Sequence, residues 1–311
     1  MIGPGMASQL RHVPLAEPTV RIVEPLLGTR AEVAVTASPS QAQAAAEDAV
    51  VQEVTRLEAI FTVFDKASAL HAYRRSGATS NTELLRVIAT AAWWQQRTGG
   101  AFHPSAGALH EVWDRAEADN RDPSPEHLAK AAQALTQNPN TRNPSKLDLN
   151  GIAKGWIAER AVIRTFARFP DTATIWLNIG GDVIHRGKGS VRVGIEDPHR
   201  PYDNVAPLAT VEVSGEALAT SGGSRRWWTI DGRRYSKVLD PRTGRPVDHI
   251  ASATVVATDG ATADALATSA LVLDPDETLV LASEVGAACF LVDRDGEIIT
   301  SSDRFKPLQT K

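Results

Sequence analysis

One segment constrains this chain more than any other: SKVLDPRTGRPVDHIASATVVATDGATADALATSALVL, residues 236–273. It opens on a turn that Pro241 and Gly244 fix and that carries Asp240, Arg242 and Thr243. A short apolar run follows, and then ADALATSALVL reads as a helix. On that helix Asp264 and Thr268 stand one turn apart on the same face. A carboxylate and a hydroxyl so placed can point at one cation, and an all-oxygen set suits Mg²⁺ or Ca²⁺ rather than zinc. The same spacing also fits a bland reading. In it the acid answers its own helix dipole and the threonine bonds back to a carbonyl of its own helix. Spacing alone leaves both open.

Two further segments read as ligand-facing. DLNGIAKGW (148–156) sets Gly151 and Gly155 around Lys154 where a helix begins. Free N–H groups there, with a point charge from lysine, suit an anion, although the longer P-loop spacing is absent. LNIGGD (177–182) ends an apolar strand on Gly180, Gly181 and Asp182. It reads either as a tight β-turn or as a place where backbone approaches a flat or phosphate-bearing group. ATSGGSRR (219–226) is another small-residue turn, with Ser221 in it and two arginines after it.

The rest of the chain supplies the frame. Residues 1–18 read as a flexible arm, and residues 19–305 as one domain. TVRIVEPLLGTRAEVAVTA gives two strands joined near Gly28. Helices are expected from about Ser38 to Phe64, with Ser38-Pro39-Ser40 as the cap, and from Asn81 or Thr82 to Gly99. One short helix is expected within the polar stretch 119–146, and another after Gly151. Strands with turns at Gly, Asp-Gly and Pro fill most of 172–240, and a hairpin at Asp295-Gly296 closes the chain. Helices interspersed with meandering strands argue an α+β fold, largely antiparallel.

A net charge of -4 gives no footprint for nucleic acid. An anionic ligand must therefore be met by local cations and backbone N–H groups. The single cysteine, Cys289, lies in an apolar run and reads as a buried strand residue. No signal-peptide or membrane-length apolar run is visible, so the chain as given is expected to be cytoplasmic.

The order DLNGIAKGW, LNIGGD, VGIEDP, ATSGGSRR, YSKVLDPRTGRP, ADALAT resembles the ApbE family of FAD:protein FMN transferases. The resemblance runs from about residue 26 to about 300 and includes TGGAFHPSAGALHEVWD (98–114). It implies an enzyme that binds FAD and Mg²⁺, cleaves the pyrophosphate, releases AMP and attaches FMN to a Thr or Ser hydroxyl of a target protein. Carried over, Asp264 and Thr268 would hold the metal with the carbonyl of Ala153. Lys154, Gly155, Asn178, Gly180, Gly181, Asp182 and Ser221 would line the FAD site, and Asp240 and Thr243 would support it.

This chain departs from the family at several of these positions. Lys237 stands where the family usually has the histidine that activates the acceptor hydroxyl. Ala69 and Arg74 replace an acid and an asparagine, and His103 replaces an aspartate. A lysine serves as a base only if its ordinary pKa, near 10.4, is lowered toward neutrality; otherwise it clamps phosphate. A hydrolase giving FMN and AMP, and a non-catalytic FAD-binding protein, are the alternatives. Ser76-Gly77-Ala78-Thr79 also resembles the core that the family's targets present, which makes Thr79 a candidate for self-modification.

Overall fold

The computed structural model describes residues 20–37, 40–136, 144–202, 204–223 and 227–307. The N-terminal arm, the Ser38-Pro39 cap and Ser224-Arg225-Arg226 lie outside the described residues. Strands β1 (Val20–Leu26) and β2 (Thr29–Ala37) form the first hairpin. A run of helices follows: α1 (Ser40–Phe61), α2 (Ala69–Ser76), α3 (Thr82–Arg97), α4 (Gly107–Ala118), α5 (Pro125–Thr136) and α6 (Asn150–Arg168). Next come β3 (Thr172–Ile179), β4 (Asp182–Gly187), β5 (Val191–Ile195), β6 (Ala209–Val213), β7 (Ala217–Gly222), β8 (Trp227–Ile230) and β9 (Arg233–Ser236). The two-residue strands β10 (Leu239–Asp240) and β11 (Arg245–Pro246) precede β12 (Ile250–Ala257), α7 (Gly260–Ala270) and α8 (Pro275–Glu284). The chain then closes with β13 (Ala288–Asp293), β14 (Ile298–Thr300) and β15 (Lys306–Pro307).

The main sheet has eight strands in the order β1-β2-β3-β4-β7-β12-β13-β14, with every neighbouring pair antiparallel. Its central strand, β12, is buried along its whole length. Because side chains alternate across a strand, Ala253 and Val255 pack into the helical layer while Val256 faces the other way. On the first face Val33, Val35, Ile175 and Leu177 meet α1, α6 and α7. On the second, Val183, Leu218, Val256 and Phe290 meet Ile195, Val211 and Val213 of the small β15-β6-β5 sheet. The domain is thus helices on sheet on sheet, an α+β fold of antiparallel sheets. Cys289 is buried in it, and burial pushes its thiol pKa up.

A third, smaller core stands apart from these layers. The hairpin β8–β9 packs on α4 and α5 through Leu109, Trp113, Leu128, Trp228 and Ile230. Trp113 and Trp228 stack with centroids 5.5 Å apart. The Trp228 indole N–H donates to Asp114 at 2.7 Å, and that of Trp113 to the carbonyl of Gly244 at 2.9 Å, pinning the DPRTG turn to α4.

Three helices were not expected from the sequence. α2 is too short to show a period; Ser68 caps it by accepting from the N–H of His71, and Gly77 ends it in the left-handed region. α8 opens on Pro275 after the cap residue Asp274. α4 did carry a legible face, Leu109, Trp113 and Ala116. Pro104 just before it and Gly107 at its first position are poor helix formers and mask that face. α3 is capped by Asn81, whose side chain accepts from the N–H of Leu84 at 2.9 Å. Of its two tryptophans, Trp94 is core, while Trp93 is 48% exposed.

Candidate active site

The site is built on the crossing of α6 and α7. A Cβ on Gly155 would lie 2.1 Å from the carbonyl oxygen of Gly260, and one on Gly260 would lie 2.1 Å from that of Gly155. The two backbones therefore touch, which only a glycine pair allows. The contact brings the N–H of Gly155 to Oδ2 of Asp264 at 3.0 Å. α7 begins at Gly260, with Asp259 as its cap, so Asp264 lies beyond the first turn. Its carboxylate faces α6 rather than its own helix end.

Lys154 follows from the same crossing, and its Nζ sits 2.6 Å from Oδ1 of Asp182. Asp182 is aimed inward by the turn before it. Gly180 and Gly181 have φ of 56° and 95°, a left-handed pair that closes β3 on β4 in two residues. Asn178 braces that turn by accepting from the N–H of Gly181 at 3.1 Å. The tight-turn reading and the ligand-facing reading of this segment are therefore compatible.

Asp182 and Asp264 are 1% and 4% exposed, so two carboxylates share a buried pocket with one lysine. Burial pushes the Asp182 carboxyl up to about 7, and the charge of Asp264 pushes the same way against the pull of Lys154. Asp264 is likewise raised by burial, opposed by Lys154 and the Gly155 N–H. Burial works against the Lys154 charge, but Asp182 and Asp264 outweigh it and hold its pKa up. Lys154 and the backbone N–H of Thr220 act on the Asp182 carboxylate and partly offset the cost of its burial. Two buried carboxylates beside one lysine remain short of positive charge, which a hard cation would supply. Thr268 and Ser221 add hydroxyls 3.4 Å apart, and Thr268 Oγ1 lies 3.5 Å from the carbonyl of Gly151. The donors are oxygens throughout, the set that suits Mg²⁺. Among the described residues no group of three or more His, Cys, Asp or Glu side chains could hold a metal. A magnesium site needs only one or two protein oxygens.

Two cavities border residues next to this cluster, while Lys154, Asp182 and Asp264 themselves line neither. The first, of about 280 Å³, is lined by His103, His110, Asp148, Ser221, Lys237 and Thr268 among others. The second, of about 550 Å³, is lined by Asn178, Gly180, Gly181, Glu196, Thr220 and Thr254 among others. Thr220 and Ser221 are neighbours on β7 and face different cavities, as strand alternation requires. Gly222, at the end of the strand, borders both.

Other predicted residues lie further out. Asp240 is buried and accepts from the backbone N–H and the guanidinium of Arg242 at 2.9–3.0 Å, while Thr243 accepts from the N–H of Arg245 at 3.2 Å. Both hold their own turn, and neither lines a cavity described above. Ala153 is buried in the first turns of α6. Lys237 is half-buried, with Nζ 5.1 Å from the Trp228 ring centre and 4.0 Å from Oδ1 of Asp114. A π face and a carboxylate are contacts that suit a cation. Arg74 donates to the carbonyl of Leu147 at 2.7 Å and so steadies the approach to α6. His103 accepts from the N–H of Ser105 at 3.1 Å; burial holds its pKa down, partly offset by the backbone of Leu135. Thr79 is half-buried, and its hydroxyl accepts from the N–H of Asn81 at 3.1 Å. His110 was not singled out from sequence. Its position one turn before Asp114 on an amphipathic helix was the available signal.

The antiparallel α+β domain is an ApbE-like fold. A solved ApbE protein from Thermotoga maritima superposes with a TM-score of 0.79 at 28% identity, covering 92% of this chain and 97% of that one. The ApbE family model matches residues 27–291, and the chain belongs to that family of flavin transferases. It is 26% identical over 273 residues to the FAD:protein FMN transferase of Escherichia coli K12, covering 78% of this chain and 76% of that protein. It is 28% identical over 282 residues to one from Klebsiella pneumoniae, covering 84% and 87%.

Proposed function

We propose that this chain is a Mg²⁺-dependent FAD:protein FMN transferase that splits FAD and attaches FMN to a Thr or Ser hydroxyl, with AMP released. The observation that carries the reading is the Lys154–Asp182–Asp264 cluster, with both carboxylates buried and the lysine partly exposed, in a chain of this family. Cavities of about 550 Å³ and about 280 Å³ open beside residues next to the cluster and share Gly222. A ligand with two ring systems and a central pyrophosphate matches that layout.

In this reading Lys154 meets a pyrophosphate oxygen as a point charge. Asn178, Gly180 and Gly181 offer a surface on which a flat ring can lie close to backbone. Asp264 and Thr268, with the carbonyl of Ala153 that the family resemblance adds, are the residues that would hold Mg²⁺. A bound Mg²⁺ would neutralise phosphate charge as it develops. The carboxylates keep their charge only when cations surround them, so FAD and metal should bind cooperatively.

The test is incubation of the purified chain with FAD and Mg²⁺, with AMP followed by chromatography and a Ser-Gly-Ala-Thr peptide followed by mass. A peptide gain of one FMN with matching AMP supports the transferase. AMP and free FMN without peptide gain would make the chain a hydrolase, and FAD binding without AMP would make it a carrier.

A further inference from the structure

Position 237 holds a lysine, yet the first cavity has an imidazole on its wall. His110 projects from α4 into that cavity, beside Lys237 and across from Ser221 and Thr268. It is exposed, so a macromolecular acceptor can reach it. Its Nε2 lies 3.0 Å from the backbone carbonyl of Lys237. Its ring meets Trp228 edge-on at 5.4 Å, which fixes the ring plane against the small core. A carbonyl can only accept, so this contact puts the proton of the neutral imidazole on Nε2 and leaves a lone pair on Nδ1. A base held in one tautomer by a backbone acceptor is poised to take a proton at the other nitrogen.

We propose that His110 is the residue that takes the proton from the acceptor hydroxyl. The proposal rests on the transferase reading above. The acceptor oxygen attacks the FMN-side phosphorus and a new P–O bond forms. The P–O bond to AMP breaks, and its electron pair stays on the AMP phosphate oxygen. The hydroxyl proton moves to Nδ1 of His110, and the resulting imidazolium later loses it to water. Lys237 then acts through its backbone carbonyl, which sets the tautomer of His110, while its ammonium rests between Trp228 and Asp114. The second histidine of the cavity, His103, is already committed to the N–H of Ser105 and does not compete.

Several charged groups face His110. Asp114 lies one turn on along α4, and Lys237 stands on the connection after β9. Glu111 is engaged by Lys146 at 2.8 Å. Across the cavity are His103 and Asp148, and Asp148 accepts from the N–H of Asn150 at 3.0 Å. The exchange of roles leaves the cavity with a base from the helix wall, where the family places one on the strand-end turn.

His110→Gln is the discriminating variant, because glutamine keeps an N–H for the Lys237 carbonyl but has no basic nitrogen. FAD affinity is read by flavin fluorescence, and transfer by AMP release and peptide mass. The expected result is FAD still bound and a kcat down by about 100-fold or more. The acid limb of kcat/KM should vanish. His110→Ala should regain part of its rate with added imidazole, which a merely structural role would not produce. His110→Gln at the native rate, with the acid limb intact, overturns the proposal. A native chain that neither binds FAD nor releases AMP overturns the transferase reading instead.

Discussion

The floor and the wall of this site are made differently. The floor is the α6–α7 crossing, where Lys154, Asp182 and Asp264 are enclosed by the main core and held by backbone contact at two glycines. The wall is α4 with the β8–β9 hairpin, which has its own small core and presents His110, Lys237 and Asp114 at the surface. Moving a floor residue disturbs the packing of two helices. A wall residue can be exchanged for another that reaches the same space. Lys237 and His103, where the sequence resemblance implies departures from the family, both line the first cavity, which this wall borders, while Asp264 lies on the floor.

The largest expected break in this contrast is Trp228→Ala. Trp228 is fully buried, stacks on Trp113 and donates to Asp114. Its loss should cost about 3–5 kcal/mol. If wall and floor are independent, urea unfolding followed by far-ultraviolet dichroism will show an early step confined to the wall. A single shifted transition would show that the two cores fold as one unit.

Next comes Asp264→Ala, which should lower Mg²⁺-dependent AMP release by about 100- to 1,000-fold while leaving the fold intact. The remaining Lys154–Asp182 pair balances its own charge, so the melting temperature should change little. Undiminished turnover would remove the floor from the chemistry.

The two raised carboxyls give a third test. Asp182 keeps its proton in the folded chain up to about pH 7, whereas an unfolded aspartate has lost it by about pH 4. Between those values the folded state binds more protons than the unfolded one, so metal-free stability falls as pH rises, by at most about 1.4 kcal/mol per pH unit for one proton. Asp182→Asn should flatten that slope in melting curves taken from pH 5 to 8. A slope equal to that of the native chain would assign it to other groups.

The smallest effect is expected at Lys237. As a half-exposed cation it should contribute about tenfold to the rate, so Lys237→Ala should be slow but active. Loss as deep as that of Asp264→Ala, with His110→Gln unaffected, would move the base back to position 237.

The floor was far more legible in the sequence than the wall. Helical spacing put Asp264 and Thr268 on one face and turn chemistry marked Gly180-Gly181, because local rules fix both, but spacing alone left the role of the pair open. That Asp264 answers Gly155 rather than its own helix dipole is a contact between residues 109 apart, and no local rule contains it. His110 was hidden for a different reason. Pro104 and Gly107 broke the apparent pattern of α4, and its nearest partner, Lys237, lies 127 residues away. Asp240 and Thr243 drew attention as polar residues of a Pro/Gly turn, and the structure gives them the work of holding that turn.

The touching glycines at positions 155 and 260 have a consequence for how a ligand is received. Neither helix can slide toward the other without driving a backbone oxygen into an α-carbon, so the distance from Asp264 to Lys154 is fixed when the chain folds. The ordering entropy of that part of the receptor is spent before any nucleotide arrives. Little of it should then be subtracted from binding, and affinity at this end should depend on charge and salt more than on induced fit.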